Sequence, residues 1–126
     1  MLFRSPAFEF LERRWERLTP AEREEWQRTD RLRFRNEWVD VEIGYGLVAE
    51  REQFRSQDLA RDYRTPTLIF HGMADDVIPF TDSVAFVERA VEPRIELRLL
   101  KDGDHRLTAH KDEIASEACR FFQRVR

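Results

Sequence analysis

The sequence predicts an α/β fold, in which strands of a parallel sheet alternate with helices that cover it. Three stretches carry the prediction. Thr67 to Phe70 is a short run of β-branched and apolar residues between Pro66 and Gly72, the pattern of a strand buried on both faces of a parallel sheet. Phe80, Val84, Val87 and Val91 recur at i, i+4, i+7 and i+11, one face of a helix, which Pro93 stops. Ile95 to Leu100 alternates apolar and charged residues, a strand with one wetter face near a sheet edge. Strand, helix and strand make a βαβ unit, expected to cross over right-handed.

Both strands end in loops that carry acids or a histidine. Gly72 permits a sharp exit from the first strand; Asp75 follows it by three residues, and Pro79 closes the loop and starts the helix. The second loop is Lys101-Asp102-Gly103-Asp104-His105-Arg106. Asp75 and His105 are therefore expected on one rim, outside the carboxyl ends of neighbouring strands, where open α/β sheets keep their chemistry. Taken alone, Asp75 reads more simply as the cap of a turn or helix. Asp102 and Asp104 read as turn residues around Gly103, His71 as structural and His110 as a surface residue.

The wording His71-Gly72-Met73-Ala74-Asp75-Asp76-Val77-Ile78-Pro79, followed by Asp102-Gly103-Asp104-His105-Arg106, resembles the C-terminal half of an α/β-hydrolase. It is most similar to the small serine esterases and thioesterases of the acyl-glucuronide esterase and palmitoyl-protein thioesterase branch. The resemblance covers residues 65–126 well and the first 60 weakly. It implies a partial α/β-hydrolase fold: C-terminal strands of a parallel sheet with crossover and closing helices, preceded by a mainly helical cap. It also implies roles. Asp75 would be the acid and His105 the base of a Ser-His-Asp triad, the imidazole taking the serine proton and the carboxylate fixing its tautomer. Asp76, Asp102 and Asp104 are rival acids; Asp75 is preferred because it stands three residues after the glycine, as the family's acid does. The substrate implied is a small acyl ester or thioester, with no cofactor and no metal.

The sequence departs from that family at the nucleophile, which sits in a Gly-x-Ser-x-Gly elbow. None of the four glycines (44, 46, 72, 103) or four serines (5, 56, 83, 116) makes that motif, and Ser83 reads as a helix-end hydroxyl. The resemblance thus implies that serine and oxyanion hole come from a missing upstream segment or another chain. The alternative is a non-catalytic fragment that binds itself or a partner. With half the sheet missing, the strand at Thr67 would lose a neighbour and expose an edge that templates pairing. A homo-oligomer, or a complex with a chain carrying the N-terminal half, is expected.

The remaining stretches are read in order. Ser5 is a good N-cap and Pro6 a good first helical residue, with Phe8, Leu11, Trp15 and Leu18 as the stripe of that helix. Thr19-Pro20-Ala21-Glu22 is a capping box, opening a helix to about Arg28. Leu32 to Ile43 suggests a two-stranded ribbon turning at Asn36-Glu37, in competition with a helix from about Val41 or Gly44 to Phe54. Residues 57–64 read as a linker. Ile114, Ala118, Phe121 and Val125 mark a closing helix, with Cys119 as a small core residue on it. Residues 1–64 are read as a cap-like helical segment and 65–126 as the βαβα core, all within one compact domain. The resemblance to α/β-hydrolases implies that, inside the first segment, Met1-Leu2-Phe3 is a strand stub and residues 8–55 are the cap proper. Trp38, Tyr45 and Ile78 are candidate substrate-pocket residues, although cap core is the simpler reading of the aromatics.

Composition bounds the function. The 126 residues are 41% apolar and 37% charged, with a net charge of −3. The 22 basic residues are interspersed with 25 acids, unlike the clustered basic footprint of a nucleic-acid binder. The single Cys119 excludes an internal disulfide and fits a reducing, cytoplasmic compartment. No apolar run approaches the ~20 residues of a membrane span, and no secretory leader or membrane partner is expected. A metal site from Asp102, Asp104 and His105 is a weaker reading, because no further ligand stands at a loop spacing such as the EF-hand's.

Overall fold

The computed structural model describes residues 1–37 and 39–125. In chain order its elements are β1 (Leu2–Arg4), α1 (Phe10–Glu16), α2 (Pro20–Thr29), β2 (Leu32–Arg35), β3 (Asp40–Ile43), α3 (Tyr45–Ala49), α4 (Ser56–Asp62), β4 (Thr67–Gly72), α5 (Phe80–Arg89), β5 (Ile95–Leu100) and α6 (Lys111–Arg124), with a 3-10 turn at Thr108–His110. Two compact units result: Met1–Phe8 with Ser56–Arg126, and Glu9–Arg55. Met1–Phe8 and the stretch from Ser56 to Arg64 thus go with the sheet and not with the preceding helices.

In the first unit a parallel sheet runs in the order β1-β4-β5. All six residues of β4 are buried, and the pleat sends them to opposite faces. Leu68 and Phe70 pack with Leu107, Ile114, Ala118 and Phe121. Ile69 packs on the other side with Ala60 and Phe86, joined by Phe3, Phe8 and Tyr63, and the Phe8 and Phe86 rings stack 4.1 Å apart. The strand at Thr67 does not have the bare edge expected of it. β1 lies alongside, Leu2 opposite Leu68, and the Ser5 amide donates to the Phe70 carbonyl at 2.9 Å. At the opposite end of the described sheet, β5 turns Ile95 and Leu97 to the Phe86 cluster. Its charged residues meet α6, with Arg98 2.7 Å from Glu117 and Arg124 2.9 Å from Glu96.

Several local readings give way to packing. Ser5 does not cap a helix; it turns the chain off β1 with φ 44, and α1 starts only at Phe10. The stretch read as a linker is largely α4, which buries Ala60 against the sheet. The valine stripe of α5 is buried only in part: Val87 packs on the Phe86 cluster, but the buried residues are Asp82, Ser83 and Phe86, the helix ends at Arg89, and Val91 is 51% exposed. On α6, Ile114, Ala118 and Phe121 are buried as their spacing predicts. Cys119 is exposed rather than core, because it follows the buried Ala118 by about 100° around the helix.

In the second unit the capping box forms in full. Thr19 Oγ1 accepts from the Glu22 amide at 3.3 Å, and Glu22 Oε2 accepts from the Thr19 amide at 2.8 Å. Trp26, 1% exposed, donates its indole N–H to the Ile43 carbonyl at 2.9 Å. The ribbon and a helix both exist, β2 pairing antiparallel with β3 and α3 following. Among the described residues no helix is long and apolar enough to cross a membrane.

Phe121 is 1% exposed beneath β4. Phe121→Ala is expected to cost about 3–5 kcal/mol, the usual range for emptying a core aromatic site. Urea unfolding measures this, and a loss under about 1 kcal/mol contradicts the packing described here.

Candidate active site

The site forms where β4 and β5 end. Their register sets Gly72 against Leu100, so the two following loops leave the sheet side by side. Gly72 has no need of a left-handed backbone, since no glycine has positive φ among the described residues. Its reason is proximity. A Cβ on Gly72 would overlap the Gly103 carbonyl and lie 2.8 Å from the Asp104 carbonyl oxygen. A Cβ on Gly103 would lie 2.9 Å from Gly72 Cα and 2.6 Å from the Leu107 side chain. The loops are laced by backbone bonds, Met73 N–H to Leu100 O at 2.8 Å and Ala74 N–H to Gly103 O at 3.0 Å.

This contact brings Asp75 to His105. Asp75 Oδ2 lies 2.9 Å from His105 Nδ1, with the carboxylate fully enclosed and the imidazole 33% exposed. Asp75 Oδ1 accepts from the amides of Val77 at 2.9 Å and Ile78 at 2.8 Å. The turn-cap reading and the partner-of-histidine reading of Asp75 are thus both true, one for each oxygen. Burial pushes the Asp75 pKa upward. The Ile78 amide, the His105 hydrogen bond, the Val77 amide and the His105 charge together outweigh it, and hold the carboxyl below its ordinary 3.8. A carboxylate on Nδ1 makes that nitrogen the N–H and leaves a lone pair on Nε2, the tautomer that can accept a proton from another group.

The His105 loop has its own anchors. Asp104 Oδ1 accepts from the Leu107 amide at 2.7 Å. Leu107 is fully buried in a left-handed conformation, φ 54. Asp104 is a turn residue, as its place beside Gly103 suggests. Asp102 Oδ1 lies 3.0 Å from His110 Nε2, while Glu113 Oε2 lies 3.4 Å from His110 Nδ1. His110 is consequently not a free surface residue; its side chain is 18% exposed between two acids.

The sequence reads His71 as structural without indicating its partners. It is fully buried on β4, with Nδ1 2.7 Å from Ser83 Oγ, Nε2 3.0 Å from the Ile78 carbonyl and 3.2 Å from Asp75 Oδ2. The available signal was a histidine inside an otherwise apolar buried strand, four residues before the acid. Ser83, His71 and Asp75 mimic a triad in order, but Ser83 and His71 are both 0% exposed, so no substrate reaches that hydroxyl. Of the candidate pocket residues, Ile78 is 5% exposed and supports Asp75 through its amide. Tyr45 stands in the second unit, its hydroxyl accepting from Gln27 at 2.6 Å. Trp38 lies outside the described residues. Among the described residues no group of three or more His, Cys, Asp or Glu is placed to hold a metal.

Comparison with known proteins adds to this geometry. The family model described as serine aminopeptidase, S33, matches residues 17–112, a span that includes both Asp75 and His105. A mouse protein, palmitoyl-protein thioesterase ABHD10, mitochondrial, is 30% identical over 70 residues, which are 56% of this chain and 24% of that protein. The solved structure of a putative hydrolase from Agrobacterium vitis S4 superposes with a TM-score of 0.83 at 25% identity, over 96% of this chain and 48% of that one. The structure of mouse α/β hydrolase domain-containing protein 10 gives 0.76 at 21% identity, over 98% and 50%. The chain spans about half the length of these structures.

Gly72→Ala is expected to force the two loops apart. Overpacking at this contact should cost about 1–3 kcal/mol or more, and NMR should lose the His105–Asp75 contact; unchanged stability and an unchanged His105 environment contradict the close approach. The pH dependence has a definite sign. A carboxylate whose folded pKa lies below its unfolded one contributes stability that is complete above the unfolded value and lost as pH falls through the folded one. Stability should therefore decline below the ordinary 3.8 of Asp75, and Asp75→Asn should flatten that decline in urea titrations at stepped pH.

Proposed function

Since the chain belongs to the serine aminopeptidase, S33, family of α/β-hydrolases, we propose that it supplies the acid and base of a Ser-His-Asp triad for ester or thioester hydrolysis. The observation that carries the reading is the 2.9 Å contact between His105 Nδ1 and the enclosed Asp75 Oδ2. In this role His105 Nε2 takes the proton of a serine hydroxyl as it attacks the acyl carbon. It then returns that proton to the departing alcohol or thiol. Asp75 holds the ring in the competent tautomer and stabilises the imidazolium that forms. An acyl-enzyme results, and water activated by the same histidine releases the acid. The serine and the oxyanion donors come from outside these 126 residues, which contain no Gly-x-Ser-x-Gly. That need makes a nucleophile-bearing chain or segment the natural partner. The thioesterase name of the mouse relative, matched over 24% of its length, favours an acyl thioester or ester as substrate.

One observation favours a second reading. The same missing motif suits a non-catalytic module that associates with itself or a partner while its rim loops persist. The two readings separate when the chain is co-produced with the Gly-x-Ser-x-Gly half of a related hydrolase and offered a p-nitrophenyl acyl ester and an acyl thioester. The triad reading expects turnover and fluorophosphonate labelling only when both halves are present. Asp75→Asn and His105→Ala should each lower the rate on the order of 10³–10⁴-fold, the scale of a protease triad. Near-unchanged turnover by either variant overturns the assignment. Tight self-association of the chain, without hydrolysis in any combination, favours the second reading.

A further inference from the structure

His71 is a fully buried imidazole whose three polar contacts link α5 to the acid loop. A carbonyl oxygen only accepts, so the 3.0 Å contact of His71 Nε2 with Ile78 O puts a proton on Nε2. In the neutral ring Nδ1 is then an acceptor, and the Ser83 hydroxyl, 2.7 Å away, donates to it. The Nε2–H thus goes to Ile78 O, while Asp75 Oδ2 lies close by at 3.2 Å without taking that proton in a hydrogen bond. An apolar residue would fill the same space without the cost of burying two polar groups. The polar pair does what an apolar residue cannot: it ties Ile78, a donor to Asp75 Oδ1, to the strand and to α5. The two amides on Oδ1 pin one end of the carboxylate but leave the other free to swing about that point. The rim imidazole takes Oδ2, and the buried one holds Ile78, whose amide is on Oδ1.

We propose that His71 is a positioning residue for the acid–base pair: its Nε2–H, set in that tautomer by Ser83, holds the Ile78 carbonyl, and the amide of the same residue holds the Asp75 carboxylate in the orientation that meets His105. The inference rests on the triad reading for its purpose, though its geometry is independent of the nucleophile.

Long-range ¹H–¹⁵N NMR of the 126-residue chain tests it. In the wild type His71 should carry its proton on Nε2 with Nδ1 bare; a proton on Nδ1 alone overturns the proposal. His105 should carry an exchange-protected proton on Nδ1. His71→Leu, with amide dispersion verifying the fold, should speed exchange of that proton roughly tenfold or more, the scale of one lost hydrogen bond. His71→Gln, which restores an N–H donor near the Nε2 position, should recover most of the protection. A His105 signal in His71→Leu identical to wild type overturns the proposal, as does a Gln variant no better than Leu. Should His71→Leu fail to fold, Ser83→Ala decides: it should mix the His71 tautomers and weaken His105 protection, and an unchanged pair of rings counts against the role. Asp75→Asn separates the two levels. If His105 keeps its protected Nδ1 proton there, the triad reading itself fails; if only the His71 variants are silent, the positioning role alone is lost.

Discussion

The backbones of Gly72 and Gly103 touch, and the rim of the sheet is built on that contact. Parallel pairing of β4 with β5 brings the strand ends level, but level strands alone leave room for side chains between their exits. Here there is none, since a methyl group on either glycine would collide with the other loop's backbone. The acid loop and the histidine loop behave as one piece of structure, laced by Met73 and Ala74 amides. Asp75 then needs no movement to reach His105. In the proposed triad role, preorganisation of this kind would put the carboxylate's donors in place before any charge develops on the ring.

The enclosed carboxylate illustrates how burial and hydrogen bonding compete. Removing Asp75 from water favours its neutral form, yet three donors converge on its two oxygens, and the balance keeps it ionised. A buried charge is tolerated only when it is satisfied to this degree. Two of the three donors, the amides of Val77 and Ile78, hold the charge without being at the exposed end of the site.

Much of this was legible in the chain. The β4 run, the alternation of β5, the 3.6-residue spacing of α6 and the capping box at Thr19 are signals in which local preference and tertiary environment agree, so each element stands where its pattern put it. Asp75 and His105 were legible because strand ends project loops to one rim. The failures share a cause. Ser5-Pro6 has the chemistry of a helix start, but pairing of β1 with β4 takes the Ser5 amide and turns the chain the other way. Residues 56–62 carry too little apolar periodicity to announce a helix, yet Ala60 is small enough to lie flat on the sheet. Val91 lost to Phe86 because the larger ring has more surface to bury against Phe8 and Tyr63. The partners of His71 were not legible, because a hydrogen-bonded histidine in a strand gives no periodic signal at all.

The first unit is written in two pieces, with Glu9–Arg55 standing between them in the chain. β1 finds its place beside β4 by register and by the Phe8–Phe86 stack, without needing covalent nearness. The intervening stretch is thus inserted between two pieces of one unit. For a flexible insert, closure entropy grows only with the logarithm of length, about 0.6 kcal/mol for each doubling. Evolution can exchange, shorten or elaborate such an insert while the sheet and its rim chemistry stay as they are, so divergence in this lineage should accumulate in the inserted segment well before it reaches the strand ends.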